Sequence, residues 1–275
     1  MKVSEVLSLL ESYFCRFGLG SARSEAEQLI EHVTGYSRNT QILSEREISS
    51  EQWVQLQNMS ELRVQGRPLQ LLVGKTCFYG LEVAVREGVL IPRPETEVLV
   101  YHVLSEKLPE RARILDVGTG SGAVALAIQS ERPNWEVWAS DFDALALDLA
   151  KSNAHRLGLP IRCVLGDLFE STHGTFDGIL ANLPYLPAQD QLHRPLELYF
   201  EPDHALYSGT EGLDLARRFL GEVKDHLRDE GVVALELDPR NVDVLAREAR
   251  NAGWIATVRP DLTGRSRFLM LHRTP

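Results

Sequence analysis

Asn182, Leu183, Pro184 and Tyr185 close the apolar run ILA with an amide and an aromatic ring set around a proline. A strand can stop on any turn residue. An Asn and a Tyr held apart by a stiff Pro suit the gripping of a flat polar group. A second cluster is Gly118-Thr119-Gly120-Ser121-Gly122, which follows ILDV and opens the helical-looking run AVALAIQSE. Glycines let a backbone approach a ligand closely and take turns closed to other residues. Asp141 ends the next apolar run, about 20 positions on, where nucleotide-binding folds place an acid for ribose hydroxyls. The plainer alternative is that the glycines tighten a turn and Asp141 caps a helix.

The glycine spacing is GxGxG, with Val124 and its neighbours where a dinucleotide fold carries a third Gly. That pattern fits S-adenosylmethionine better than NAD. The run IRCVLGD leads to Gly166-Asp167-Leu168, and a carboxylate at Asp167 is placed to face an adenine amino group, or else is a surface acid after a strand. Histidines such as His32, His102 and His155 have no metal-ligand spacing, and no metal site is expected.

These residues need a scaffold, and the chain beyond residue 110 supplies its pattern. ARILDVG, EVWASD, IRCVLGD, FDGILAN and GVVALEL read as strands, with AVALAIQSE and ALALDLAKSNAHRLG as helices between the first of them. The alternation predicts an α/β fold: a Rossmann-like, mostly parallel sheet covered on both faces. RFLMLH is expected as a final edge strand. Texture changes near Leu69, and LEVAVREGVLIP predicts a connecting β-hairpin before IPRPETE breaks it, with Thr96 as a helix cap. The first 65 residues read as helical. Val6, Leu10, Tyr13, Phe14 and Phe17 share a face, Ser24 with Glu27 suggests a capping box, and a third helix is expected over about 50–64. The predicted organisation is a small helical domain over 1–74, for packing or substrate docking, and a Rossmann-like domain over 75–275.

A net charge of −10 argues against duplex DNA or a membrane surface as primary partner, since phosphate contact needs a basic footprint. Cys15, Cys77 and Cys163 are far apart and odd in number, which predicts neither disulfides nor zinc. The start MKVSEVLSLLESYF carries Glu5 and Glu11 inside its apolar run, unlike a secretory signal, and a cytoplasmic protein is expected.

Six stretches in order, GRPLQLLVG, LIPRPETEVLV, ILDVGTGSGAVALAI, ANLPY, FEPDHALYSGTEGLD and DLTGRSRF, resemble the HemK-type protein-(glutamine-N5) methyltransferases. The resemblance covers residues 66–275, and the helical N-terminus is similar too. It is nearest the release-factor branch, which modifies the Gln of a Gly-Gly-Gln loop. It implies S-adenosylmethionine held by Gly118 to Gly122, Asp141, Asp167, Leu168 and Asn182, and catalysis at residues 182–185.

The family's Asn-Pro-Pro-Tyr maps onto Asn182-Leu183-Pro184-Tyr185. A glutamine nitrogen is a poor nucleophile because its lone pair is delocalised into the carbonyl. The resemblance implies that the Asn182 side-chain oxygen and the residue 183 carbonyl each accept one N–H, aiming the lone pair at the methyl group. Charge growing on nitrogen then strengthens both bonds. Tyr185 would stack on the amide.

Two departures stand out. Leu183 replaces a Pro, keeping the carbonyl but losing the fixed φ. Glu236-Leu237-Asp238-Pro239 stands where relatives carry Glu, an apolar residue and Gly. Glu201 is expected to shape the substrate mouth or to be structural, and Arg93 to Thr96 to form a loop over the pocket or a rigid turn. Other readings are a ribosomal-protein glutamine methyltransferase, an adenine-N6 nucleic-acid methyltransferase, and a cofactor-binding module that no longer turns over.

Overall fold

A computed structural model describes residues 1–43 and 45–274. The chain forms two packed units. One comprises Met1–Lys75 with Pro195–Phe200, and the other Thr76–Arg194 with the chain from Glu201 on. The first unit therefore includes a six-residue segment that the sequence reading gave to the 75–275 domain.

In the first unit α1 (Val3–Arg16), α2 (Ala22–Thr34), α3 (Arg38–Leu43), α4 (Ser50–Val64) and α5 (Leu69–Val73) enclose a core built on Val6, Leu10, Phe14, Leu29, Ile30 and Leu56. Phe17 is exposed, because α1 has ended at Arg16 and Phe17 is already its C-cap. The capping assignment at Ser24 is corrected: the N-cap is Ser21, whose hydroxyl donates to Glu25 at 2.8 Å. The helix expected over about 50–64 is α4, and Ser49 and Gln52 form a reciprocal capping box at its start that the sequence reading did not name. Residues 195–200 belong here because Arg63, buried on α4, bonds both Glu25 and Glu197, the latter at 2.6 Å.

The hairpin of β1 (Lys75–Phe78), whose first residue closes the first unit, and β2 (Leu81–Ala84) opens the second unit, followed by α6 (Thr96–Leu104). The hairpin expected over LEVAVREGVLIP is corrected: only Leu81–Ala84 of that stretch is strand, paired with β1 before it, and residues 85–92 leave the strand through a turn at Gly88, φ 85°; residues 69–73 are helical. There follow β3 (Arg113–Val117), α7 (Ala123–Glu131), β4 (Glu136–Asp141), α8 (Ala144–Leu157), β5 (Ile161–Leu165) and β6 (Phe176–Ala181). Short 3-10 turns lead to α9 (Asp214–His226), β7 (Leu227–Glu236), α10 (Val242–Asn251), β8 (Trp254–Pro260) and β9 (Ser266–Arg273).

Seven strands form one sheet in the order β5-β4-β3-β6-β7-β9-β8, with β9 antiparallel to both neighbours. The edge-strand expectation for RFLMLH is thus corrected: β9 is internal and β8 is the edge. Alternate residues of each strand feed two cores. Leu115, Ile179, Val233 and Leu269 face α9 and α10, while Ile114, Leu180, Val232 and Phe268 face α6 and α7.

The sheet explains how distant residues meet. Strand order reverses between β3 and β6, and ligands of open α/β sheets bind beyond the carboxyl ends at such a point. Val117 pairs with Ser140 on one side and Ala181 on the other. The next residue of each strand is therefore Gly118, Asp141 and Asn182, in one row along the cleft floor.

Candidate functional site

A cleft opens at this row, walled by the glycine turn, Asp141, Asn182 and apolar groups from Val89, Leu90 and Leu168. The turn is shaped by its glycines. Gly118, Gly120 and Gly122 have φ of 70°, 56° and 83°, a region costly for other residues. The N–H groups of Gly118 and Thr119 both donate to the Ser140 carbonyl at 2.9 Å, tying the turn to β4. Beneath it Asp116 accepts the Thr119 hydroxyl at 2.6 Å, and complete burial pushes its carboxyl up to about 7.

Asp141 is 7% exposed and lines the cleft. Its Oδ2 accepts the Gly120 N–H at 2.8 Å and its Oδ1 accepts the Asp143 N–H at 3.0 Å. Burial raises its pKa, and the two N–H groups oppose that rise. The carboxylate is therefore locked to the glycine turn, with lone pairs left over on both oxygens. The plainer possibility, a cap on α8, is excluded for Asp141, because the N-cap of α8 is Asp143. Asp167 lines the cleft too, but its Oδ2 is in a half-exposed ion pair with Arg218 at 2.8 Å. Leu168 takes a left-handed φ of 49° and buries its side chain. Such strain collects at functional sites.

Of residues 182–185, Asn182 and Leu183 lie on the cleft wall. Asn182 Nδ2 donates to the Thr96 hydroxyl at 3.1 Å. Its Oδ1 carries no hydrogen bond among the described residues, so the amide keeps an unused acceptor at the cleft wall. The expectation that Thr96 caps α6 is corrected: Thr96 is the first helical residue, after Glu95 at the N-cap, and its hydroxyl serves Asn182. The Leu183 side chain is buried, and a Cβ on Gly118 would sit 3.2 Å from its Cδ2. Leu at the proline position is thus accommodated under the glycine turn, and packing replaces the ring as the restraint on this loop.

Tyr185 is held at both ends. Its carbonyl accepts from Asn241 Nδ2 at 3.1 Å, and its hydroxyl donates to Glu236 Oε1 at 3.4 Å. Burial, with Glu236 beside it, raises the phenol pKa well above the usual value. Glu236 is 1% exposed, and burial pushes its carboxyl up to about 7 against the opposing influence of Thr96 and Arg267. Glu201 is also buried. It accepts the Ile91 N–H at 3.1 Å and pairs with Arg93, which fastens the IPRPE turn to the chain after residue 200. That is the structural of the two roles open to it.

Sequence reasoning passed over the support of the loop. Leu186 and Tyr207 form a parallel bridge, with Leu186 N–H on the Leu206 carbonyl and Ser208 N–H on the Leu186 carbonyl. Gly212, φ 74°, packs so closely that a Cβ there would lie 2.1 Å from the Tyr185 carbonyl oxygen. Gly253 has a similar φ of 83° with open space around it. Gly212→Ala should therefore destabilise the protein by at least ~3 kcal/mol, left-handed strain plus overpacking, while Gly253→Ala costs only ~1 kcal/mol. Thermal melts of the two variants check this. Equal losses would mean that the loop yields freely. Asn241, which holds both the Tyr185 and Glu211 carbonyls, had no signal in a single sequence.

Residues 94–197 match the methyltransferase small domain family, and residues 5–74 match the PrmC N-terminal domain. A release factor glutamine methyltransferase of Deinococcus radiodurans is 40% identical over 275 residues, spanning 99% of each chain. One from Rhodopirellula baltica is 35% identical, spanning 98% of this chain and 96% of its own. Among solved structures, a methyltransferase from Pyrococcus furiosus matches with a TM-score of 0.55 at 20% identity, covering 82% of this chain and 100% of its own, a likeness of fold. The order of the sheet, the glycine turn locked to Asp141 and the two near-full-length relatives agree: this chain belongs to the release factor glutamine methyltransferases.

Proposed function

We propose that this chain transfers a methyl group from S-adenosylmethionine to the side-chain nitrogen of the glutamine in the Gly-Gly-Gln loop of peptide chain release factors. The observation that carries the reading is the Asn182 amide on the cleft wall, whose nitrogen is held by Thr96 while its oxygen keeps its acceptor capacity. The cleft fits the methyl donor on its own chemistry. Its walls are largely apolar, the locked carboxylate of Asp141 can accept hydroxyls, and its glycine turn admits close approach.

When bound, S-adenosylmethionine supplies an electrophilic methyl on a sulfonium. The protein's part is to hold the acceptor. Asn182 Oδ1 and the Leu183 carbonyl each take one N–H of the glutamine amide, which fixes the nitrogen and orients its lone pair. Both acceptors strengthen as positive charge grows on that nitrogen, so they favour the transition state over the ground state. Tyr185, anchored through its hydroxyl and carbonyl, offers its ring to the flat amide. Asp141 holds ribose hydroxyls, and Leu168 presents backbone and apolar surface near Asp167.

Transfer of label from S-adenosylmethionine to purified release factor, with a Gln→Ala factor and duplex DNA alongside, tests this. Label on the wild-type factor alone supports it. Label on DNA alone, or on both factors equally, overturns it.

A further inference from the structure

An Asn side chain can present either its oxygen or its nitrogen, and only one orientation serves an acceptor role. The electrons at the far side of the amide must therefore be arranged by something else. Thr96 Oγ1 accepts the Asn182 N–H at 3.1 Å, which commits its own hydrogen to a different acceptor. Glu236, the last residue of β7 and 1% exposed, is near enough to Thr96 for that hydroxyl to oppose the rise of its pKa. One of its oxygens is reached by the Tyr185 hydroxyl, while Oε2 is buried with no hydrogen bond. A buried acceptor with unused capacity is costly unless something employs it. Arg267 comes nearest to the other oxygen, Oε1, at 4.0 Å, and is itself engaged by Asp261 at 3.3 Å, so Oε2 is left to another donor.

We propose that Thr96 and Glu236 are a positioning pair that fixes which way round the Asn182 amide sits. Glu236, as an acceptor, draws the Thr96 hydrogen away from Asn182 and leaves the Thr96 oxygen to receive the Asn182 nitrogen. The same carboxylate steadies Tyr185 from the other side. Neither residue touches the reacting atoms. The inference rests on the glutamine-methylating role of Asn182 proposed above.

A double-mutant cycle on the full chain tests it, with Asn182→Ala, Thr96→Val, Thr96→Ser and the double variant assayed on release factor. Binding of S-adenosylhomocysteine and thermal melting report folding. Thr96→Val should lower kcat ~10-fold or more with little change in KM, and Thr96→Ser should recover to within about threefold, because only the hydroxyl is needed. The double variant should lose no more than Asn182→Ala alone, within about twofold, since Thr96 acts through Asn182. Glu236→Gln, which can set an N–H against the Thr96 oxygen, should lower kcat by about tenfold. Additive losses in the double variant, or a Thr96→Val enzyme at wild-type rate, would overturn the pairing and leave the functional reading intact. Wild-type enzyme that labels no factor, or an Asn182→Ala enzyme at full rate, would bring down that reading and this inference with it.

Discussion

Asn182→Ala should lower kcat for glutamine methylation by ~10²–10³-fold, the usual loss when one preorganised group opposite developing charge is removed. The expectation depends on two acceptors working together. The backbone carbonyl of Leu183 survives any side-chain change, so one N–H of the substrate is still held. What disappears is the second anchor, and with it the fixed direction of the nitrogen lone pair. The cofactor cleft should be little affected, because Asn182 contributes one wall group while the locked carboxylate and glycine turn remain. S-adenosylhomocysteine should therefore bind within a few-fold of wild type. Asn182→Asp is the informative companion. It keeps an oxygen towards the cleft, but its other oxygen meets Thr96 as an acceptor where Asn182 had donated, close to buried Glu236. Single-turnover rates at saturating substrate separate these cases. If Asn182→Ala keeps more than a third of the wild-type rate, the amide is not the methyl acceptor's clamp.

The neighbouring carboxylate trades stability for this arrangement. Glu236 is pushed from 4.5 to about 7 by burial, so the folded state binds its proton more tightly than the unfolded chain does. Between roughly pH 4.5 and 7 the native state holds more protons, and stability falls as pH rises, by up to about 3 kcal/mol from this group. Buried Asp116, raised to about 7, acts with the same sign. Glu236→Gln stays neutral throughout. It should melt higher than wild type at pH 8, and the advantage should vanish towards pH 5. A variant that is more stable yet slower is the usual mark of a group kept for function.

How much of this could be read in advance depended on the range of the interaction. The glycine turn and Asp141 are local signals, and they stood in the sequence with nearly correct bounds; the capping box of α4 is as local, at Ser49 and Gln52, and was passed over. The internal place of β9 was also legible, though it was read otherwise. FLML is a continuous apolar run, the pattern of a strand covered on both faces, whereas WIATVRP alternates as an edge strand does. Position near the chain end misled. The supports of the 182–185 loop had no such signal. Thr96 meets Asn182, Glu201 meets Ile91, and Asn241 meets Tyr185 only because the sheet brings distant segments together. Ser24 shows the local limit: a spacing that fits a capping box is idle once Ser21 begins the helix one step after the previous turn.

Asp141→Ala should weaken cofactor binding by ~10²–10³-fold, since hydrogen bonds to a charged acceptor are each worth about 1.5–3 kcal/mol. The loss has two parts. The ribose hydroxyls lose their acceptor, and the Gly120 and Asp143 N–H groups lose theirs, which loosens the glycine turn at Gly120 while the Ser140 carbonyl still holds Gly118 and Thr119. Asp141→Asn separates the parts. One amide oxygen can serve only one of the two N–H groups, and its NH₂ must face the other, so an intermediate loss is expected. Asp167→Ala offers the contrast. Its carboxylate is half exposed and already paired with Arg218, so an adenine amino group would have to compete with a guanidinium for it. A loss of about threefold or less is expected there, in line with the small worth of exposed pairs. Titration with S-adenosylhomocysteine ranks the three variants. Equal losses at 141 and 167 would mean that Arg218 gives way on binding, and a weak effect at 141 would mean that the carboxylate serves the turn and not the ligand.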